Sequence, residues 1–127
     1  MKNKPKILYV DDEKMNITVF QLTFSKVFEV LTADSGAKGL EIFTTEPDIK
    51  FVISDMRMPE MDGLEFIRNI KKVRENIPCS ILSGHQQCPE ILTALDNGEI
   101  VDYWLKPFDK EAIEHLVLKY VNNTAGS

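Results

Sequence analysis

The sequence has few cysteines and histidines, and it has no long apolar run. Its two cysteines, Cys79 and Cys88, match no metal-binding spacing and are interpreted as free thiols. The two histidines, His85 and His115, lie far apart in the chain and do not form a metal-binding pair. No apolar stretch approaches the roughly 20 residues that a membrane-spanning helix needs, so no membrane segment is expected.

The chain also lacks a surplus of basic residues, and no amino-terminal leader is expected. Its net charge is −5 and its pI is near 5.0, whereas nucleic-acid binding generally needs a basic face. No direct nucleic-acid binding by this domain is therefore expected. The first six residues are basic in character, but the apolar run that follows them is much shorter than that of a signal peptide. We therefore expect a cytoplasmic location.

The chain has the size and composition of one domain with a true core, since 43% of its 127 residues are hydrophobic. We predict a single domain over residues 1–127, ordered over about 5–121, with a polar tail at 122–127. Strand-like runs alternate with segments of helical periodicity. The predicted strands are 7–10, 28–32, 51–54, 77–82 and 101–105. The predicted helices are about 13–27, 35–46, 62–73, 89–97 and 109–120.

Strict alternation of strands and helices predicts an α/β fold, in which a doubly wound parallel sheet carries helices on both faces. The strand-like runs are almost continuously apolar, as expected for strands that are buried on both faces. In such folds, ligands bind at the carboxyl ends of the strands, where the strand order reverses. The residues that follow the strands are therefore the candidates for function.

Polar side chains follow four of the five predicted strands. They are Asp11 and Asp12 after the first strand, Asp55 after the third, Ser83 after the fourth and Lys106 after the fifth. Three carboxylates in one pocket repel one another, and a hard divalent cation such as Mg²⁺ relieves that repulsion. Mg²⁺ prefers carboxylate, water and phosphate oxygens, so the pocket also suits a phosphate-bearing ligand.

Lys106 and Ser83 complete the equipment for phosphoryl transfer. Lys106 can pair with Asp55 at rest and can hold a phosphoryl oxygen during transfer, while the Ser83 hydroxyl can donate to another oxygen. Each residue also has a simpler interpretation, because Asp pairs often cap helices and Lys-Pro pairs often form turns. Their joint appearance at four strand ends favours a site.

The motifs carry a family resemblance over essentially the whole chain. Residues 10–13 (VDDE), 55–63 (DMRMPEMDG), 82–84 (LSG) and 106–108 (KPF) resemble the receiver domain of bacterial two-component response regulators, of the chemotaxis-regulator-like kind. The nine-residue stretch from Asp55 is the most specific of these motifs. The resemblance implies a flavodoxin-like sheet of five parallel strands, in the order 2-1-3-4-5, with five helices.

The resemblance also implies a function in a phosphorelay. Asp55 would accept a phosphoryl group from a histidine kinase. Mg²⁺, with Mn²⁺ as a substitute, would be held by Asp11 (partly through water), Asp12, Asp55 and the backbone carbonyl of Arg57. The domain would catalyse only its own phosphorylation and dephosphorylation. The peptide bond that joins Lys106 to Pro107 would often be cis in such a family.

The expected readout is a change of surface. Ser83 and Tyr103 match the family's hydroxyl and aromatic switch positions, and the surface of the fourth helix, fifth strand and fifth helix would change on phosphorylation. Tyr103 has the simpler interpretation of an edge-strand aromatic packed on the fourth helix. Strand alternation places Trp104 on the face opposite Tyr103, packed against the fifth helix.

Two further residues bear on the lifetime of the phosphoryl group. Arg57 and His85 lie two residues after Asp55 and Ser83, and both are bulky and can be cationic. We predict that they shield the acyl phosphate and modulate dephosphorylation. The alternative is that both side chains point into solvent.

Two competing functions differ from this one in kind. A haloacid-dehalogenase-type phosphatase would need an acidic residue two positions after the nucleophile, where this chain has Arg57. A phosphorylation-independent pseudo-receiver would usually lack an acidic residue or the lysine, and all are present. Expected partners are a sensor histidine kinase or phosphotransfer protein and an effector protein or fused output domain. Whether the receiver stands alone or is excised from a larger protein, and whether it forms a phosphorylation-dependent homodimer, stays open.

Overall fold

The computed structural model describes residues 4–84 and 88–126, and this part of the chain alternates five strands with five helices. The strands are β1 Lys6–Val10, β2 Glu29–Ala33, β3 Ile49–Asp55, β4 Cys79–Ser83 and β5 Asp102–Leu105. The helices are α1 Lys14–Phe24, α2 Gly36–Thr45, α3 Gly63–Val73, α4 Pro89–Asp96 and α5 Lys110–Gly126.

The strands form one parallel sheet in the order β2-β1-β3-β4-β5. From β1 the chain first winds outward to β2, and it then returns to place β3 on the other side of β1. The strand order therefore reverses between β1 and β3. The predicted flavodoxin-like fold is confirmed.

Helices cover both faces of the sheet, and each face has its own core. The first core joins α2, α3 and α4 to inward-facing residues such as Val10, Val52 and Ile81. The second core joins α1 and α5 to the opposite face, where Tyr9 and Ile53 pack against Phe20, Phe24 and Ile113. The two cores alternate residue by residue along each strand.

The differences from the prediction include two boundaries and one burial pattern, each with a physical reason. Strand β4 begins at Cys79 and not at residue 77, since Pro78 has no N–H to donate to the ladder. Strand β5 is only half-buried because it lies at the edge of the sheet. Helix α5 continues to Gly126, so residues 122–126 are helical where a polar tail was expected.

None of the helices within the described ranges is both long and apolar enough to cross a membrane. Cys79 is buried and Cys88 is partly exposed, and both are free thiols, as predicted.

Candidate functional site

The acidic residues meet where the strand order reverses. Asp11 directly follows β1, and Asp55 is the last residue of the neighbouring strand β3. Asp12 follows Asp11 in the loop that leads into α1. One carboxylate oxygen from each of the three residues lies within 4.8 Å of the others. The predicted acidic pocket is therefore present.

Lys106 reaches this pocket from the edge of the sheet. Strand β5 lies two strands away from β3, a span of about 10 Å at ordinary strand spacing, so only a long side chain can cross it. Its Nζ lies 3.1 Å from Asp55 Oδ1 and 3.1 Å from Asp11 Oδ2. Its backbone N–H donates to the Ser83 carbonyl at 2.8 Å, which anchors the residue to β4. The peptide bond to Pro107 is cis.

The two adjacent aspartates have different environments. The Asp11 side chain is fully buried, and it accepts hydrogen bonds from the Tyr9 hydroxyl at 2.6 Å, from Lys106 and from the Glu13 N–H at 3.0 Å. Asp12 is exposed at the mouth of the pocket. Asp11 therefore has both of its oxygens engaged within the protein, whereas Asp12 faces the solvent.

The donor set fits a hard divalent cation. Mg²⁺ prefers oxygen ligands, and Asp11, Asp12 and Asp55 each offer one carboxylate oxygen within 4.8 Å of the others. Asp12 and Asp55 are suited to bind directly. Asp11, with its oxygens engaged, is better suited to act through water.

Burial and charge shift two pKa values in the pocket. Burial raises the pKa of Asp55, and the charge of Asp11 adds to that rise, while Lys106 opposes it. Burial alone would lower the pKa of Lys106, but the charges of Asp55 and Asp11 outweigh it and raise the pKa above its usual value. Lys106 therefore stays charged, and Asp55 is a more basic nucleophile than an exposed aspartate.

The predicted switch residues lie on the other face of the sheet. Ser83 is buried at the end of β4, in phase with Cys79 and Ile81, which belong to the core under α3 and α4. Tyr103 is half-buried and packs on the same core, which includes Ile91 and Ala94 of α4. Its position is compatible with both a switch and a packing role.

Trp104 lies where strand alternation predicted. It packs against the core formed with α1 and α5, on the face opposite Tyr103. The predicted contact of Trp104 with the α5-side core is thus confirmed.

The structure describes only one of the two residues that were predicted to modulate dephosphorylation. Arg57 is exposed in the loop after β3, and together with Asp12, Met58 and Glu90 it lines an open cavity of about 580 Å³. His85 lies outside the described residues. Arg57 is thus beside the pocket but is not buried in it.

Tyr9 is the site residue that the sequence prediction missed. A tyrosine within the apolar run of β1 resembles an ordinary core residue, and its ring indeed stacks on Phe20 with centroids 4.0 Å apart. Burial raises the pKa of its phenol above the usual value, and the hydrogen bond to Asp11 acts in the same direction. Its spacing of two from Asp11, which places both on one face of β1, was the available signal.

Comparison with known proteins places this fold and pocket in a family. The family described as "Response regulator receiver domain" matches residues 7–118. The sporulation initiation phosphotransferase F of Bacillus subtilis is 33% identical over 118 residues, which are 91% of this chain and 93% of that protein. A crystal structure of a response regulator receiver domain protein from Clostridium thermocellum has a TM-score of 0.88 at 32% identity, over 94% of this chain and 96% of that one.

A longer relative is also similar to this chain. The transcriptional regulatory protein GlrR of Escherichia coli K12 is 38% identical over 116 residues, which are 89% of this chain. The chain spans only about a quarter of that relative, since the match covers 26% of it. The molecule is a doubly wound α/β domain with an acidic pocket at its switch point. It belongs to the response regulator receiver domain family, whose members typically act as signalling switches.

Proposed function

We propose that this domain is the phosphoacceptor of a two-component phosphorelay, and that Asp55 receives the phosphoryl group. The observation that carries the proposal is the ion pairing of Lys106 with both Asp55 and Asp11 at 3.1 Å, beside the exposed carboxylate of Asp12. This arrangement would supply a nucleophile, a cation and a metal-binding carboxylate from one pocket. Phosphoryl transfer needs little more than such positioning and charge stabilisation.

In the proposed reaction, an Asp55 carboxylate oxygen attacks the phosphorus of a phosphohistidine. The O–P bond forms and the N–P bond breaks, and the imidazole nitrogen retains the electron pair and takes up a proton. Lys106 exchanges its ion pair with Asp55 for a phosphoryl oxygen. Asp12, Asp55 and the Arg57 backbone carbonyl would hold Mg²⁺, which neutralises charge on the phosphoryl oxygens when bound.

The proposed output is a change in the surface of α4, β5 and α5. Ser83 and Tyr103 lie on the same face of neighbouring strands, as the paired residues Ile81 and Tyr103 show. A hydroxyl drawn toward the phosphoryl group leaves space on the α4 side, which the half-buried Tyr103 ring can fill. The phosphoryl group would thereby favour one of two packings of this surface.

The proposed partners follow from the same chemistry. A histidine kinase or phosphotransfer protein would supply the phosphoryl group, and an effector protein or fused output domain would read the altered surface. Names of relatives such as "transcriptional regulatory protein" support an output of this kind. The cytoplasmic location stays a prediction from the sequence.

The first test is phosphorylation by a small donor. The protein is incubated with Mg²⁺ and acetyl phosphate, and intact mass is recorded for the parent, Asp55→Asn and Asp62→Asn. We expect one phosphoryl group on the parent and on Asp62→Asn, whose exposed carboxylate caps α3 at the rim of the open cavity and is not one of the three clustered carboxylates. Asp55→Asn should gain none.

Failure of the parent to gain mass while it stays folded, as judged by circular dichroism, would instead support a phosphorylation-independent pseudo-receiver.

The labelled protein also tests the proposed shielding role of Arg57. Mass spectra taken over time should show faster loss of the phosphoryl group from Arg57→Asn than from the parent. Equal rates would show that the Arg57 side chain, exposed in this structure, does not shield the acyl phosphate.

A further inference from the structure

Tyr9 contacts the acidic pocket from the core under α1 and α5. Only 1% of the residue is exposed, and its hydroxyl donates to Asp11 Oδ2 at 2.6 Å. The Tyr9 ring is held in place by aromatic packing. It stacks on Phe20 at an interplanar angle of 5°, and Phe20 in turn contacts Phe24 and Phe108. The hydroxyl therefore reaches Asp11 from a rigid support.

Packing alone does not account for the hydroxyl. A phenylalanine at this position would make the same stack on Phe20, and a buried hydroxyl is unfavourable unless it is hydrogen-bonded. Asp11 provides that bond. The tyrosine hydroxyl and the buried carboxylate are therefore a matched pair.

The Tyr9 bond completes the hydrogen bonding of Asp11. Oδ2 accepts from both Tyr9 and Lys106, and Oδ1 accepts from the Glu13 N–H. Because Asp11 is fully buried, bulk water does not replace a missing donor. A carboxylate that is satisfied in this way gains less from a neighbouring cation than one with a free oxygen.

We propose that Tyr9 is a positioning residue, and that its hydroxyl holds Asp11 back from the cation and so weakens Mg²⁺ binding. Direct coordination is left to Asp12 and Asp55, and the ion remains readily exchangeable. The inference rests on the proposed function, since it takes the cation to bind in this pocket. It adds a residue that sets how tightly the ion is held.

The test is the Mg²⁺ affinity of Tyr9→Phe, which keeps the ring stack and removes only the hydroxyl. Isothermal titration calorimetry of the unphosphorylated protein should show Mg²⁺ binding tightened about fivefold, the size expected for one hydrogen bond. Without Mg²⁺ the variant should melt at a lower temperature than the parent, because Asp11 has lost a donor. Addition of Mg²⁺ should then raise its melting temperature by more than it raises that of the parent.

Two controls separate this role from packing. Tyr120→Phe removes a hydroxyl from a tyrosine on α5 whose ring contacts Phe51, and it should leave Mg²⁺ affinity unchanged. In an Asp11→Asn background, Tyr9→Phe should no longer tighten binding. A lower melting temperature with unchanged or weaker Mg²⁺ binding would show that Tyr9 has only a structural role.

The outcomes also separate this inference from the proposed function. Normal Mg²⁺ binding and phosphorylation in the parent, with no change of affinity in Tyr9→Phe, would overturn the role of Tyr9 alone. A parent that binds no Mg²⁺ would overturn the proposed metal site and the role of Tyr9 with it.

Discussion

Asp11, Asp12 and Asp55 carry the same functional group, but the fold gives each a different environment. Asp11 is fully buried and has several hydrogen-bond donors, Asp12 is exposed, and Asp55 is buried with Lys106 as its partner. The environments suit three roles: a fixed charge, a metal ligand and a nucleophile. Chemical identity alone therefore does not distinguish the three carboxylates, and their positions in the fold do.

The burial of Asp55 makes stability depend on pH in the absence of metal. The pKa of Asp55 is higher in the folded protein than in the unfolded chain. At pH values between these two pKa values, folding is therefore accompanied by the uptake of a proton. The free energy of unfolding then falls as pH rises toward the raised pKa. Above that pKa, the full cost of burying the charged Asp55 carboxylate remains. At pH 7, Asp55→Asn should be more stable than the parent by on the order of 1 kcal/mol. Urea unfolding in EDTA across a pH series measures this difference.

The difference in stability should shrink as pH falls from the raised pKa toward the ordinary range of an aspartate, below which Asp55 is protonated in both states. Asp96→Asn, which removes an exposed carboxylate from the end of α4, should follow the parent at every pH. An advantage of Asp55→Asn that grows toward acid pH would contradict the expected sign.

Most of the pocket could be predicted from the sequence, because its residues directly follow apolar runs. Asp11, Asp55 and Lys106 were predicted in this way, and the structure brings them together. The double pairing of Lys106 could not be predicted, since it depends on how far apart the strands lie. Tyr9 was missed because its burial resembles that of any core aromatic.

At the scale of the helices, the starts of α2 and α3 could be predicted from the sequence, and the end of α5 could not. Ser35 and Asp62 cap α2 and α3 through bonds to the N–H groups of Lys38 and Glu65, at 3.2 and 2.9 Å. These short-range signals are visible in sequence. The end of α5 at Gly126 has no such signal, because its last turns are polar and resemble a tail.

The start of α3 is packed directly against the site, and Gly63 makes this contact possible. A Cβ at Gly63 would clash with the Asp55 carbonyl oxygen and would lie 2.9 Å from Ile81 Cδ1. Gly63→Ala should therefore lower the free energy of unfolding by about 1–3 kcal/mol. It should also slow phosphorylation by acetyl phosphate, because the backbone of Asp55 must shift.

Gly84→Ala provides the matched comparison. Within residues 4–84 and 88–126, no atom lies within 4 Å of a Cβ built at this exposed glycine, which also follows a strand at the same edge of the sheet. Its free energy of unfolding should stay within about 0.5 kcal/mol of the parent. Equal unfolding midpoints for the two alanine variants in urea would show that α3 tolerates a shift at Gly63.

At the scale of the whole molecule, the proposed site residues are divided between the two faces of the sheet. Asp11, Asp55 and Lys106 are in phase with the residues that pack under α1 and α5. Ser83 and Tyr103 are in phase with the core under α4. A phosphoryl group at the edge of the sheet would touch both faces, so a single event there can alter contacts with helices on both sides.

Mg²⁺ should stabilise the whole domain, because the three carboxylates are brought together only in the folded state. At a Mg²⁺ concentration 100 times the Kd, the free energy of unfolding should rise by about 2.7 kcal/mol, and EDTA should remove the gain. If Asp12→Asn lowers the affinity for Mg²⁺ tenfold, about half of this gain in the free energy of unfolding would remain. Asp34→Asn makes the same change of charge just after β2, where Asp34 pairs with Lys38 at 3.3 Å, and should keep the full gain. Denaturant unfolding with and without Mg²⁺ decides the matter, and an equal gain in Asp12→Asn and the parent would place the ion outside this pocket.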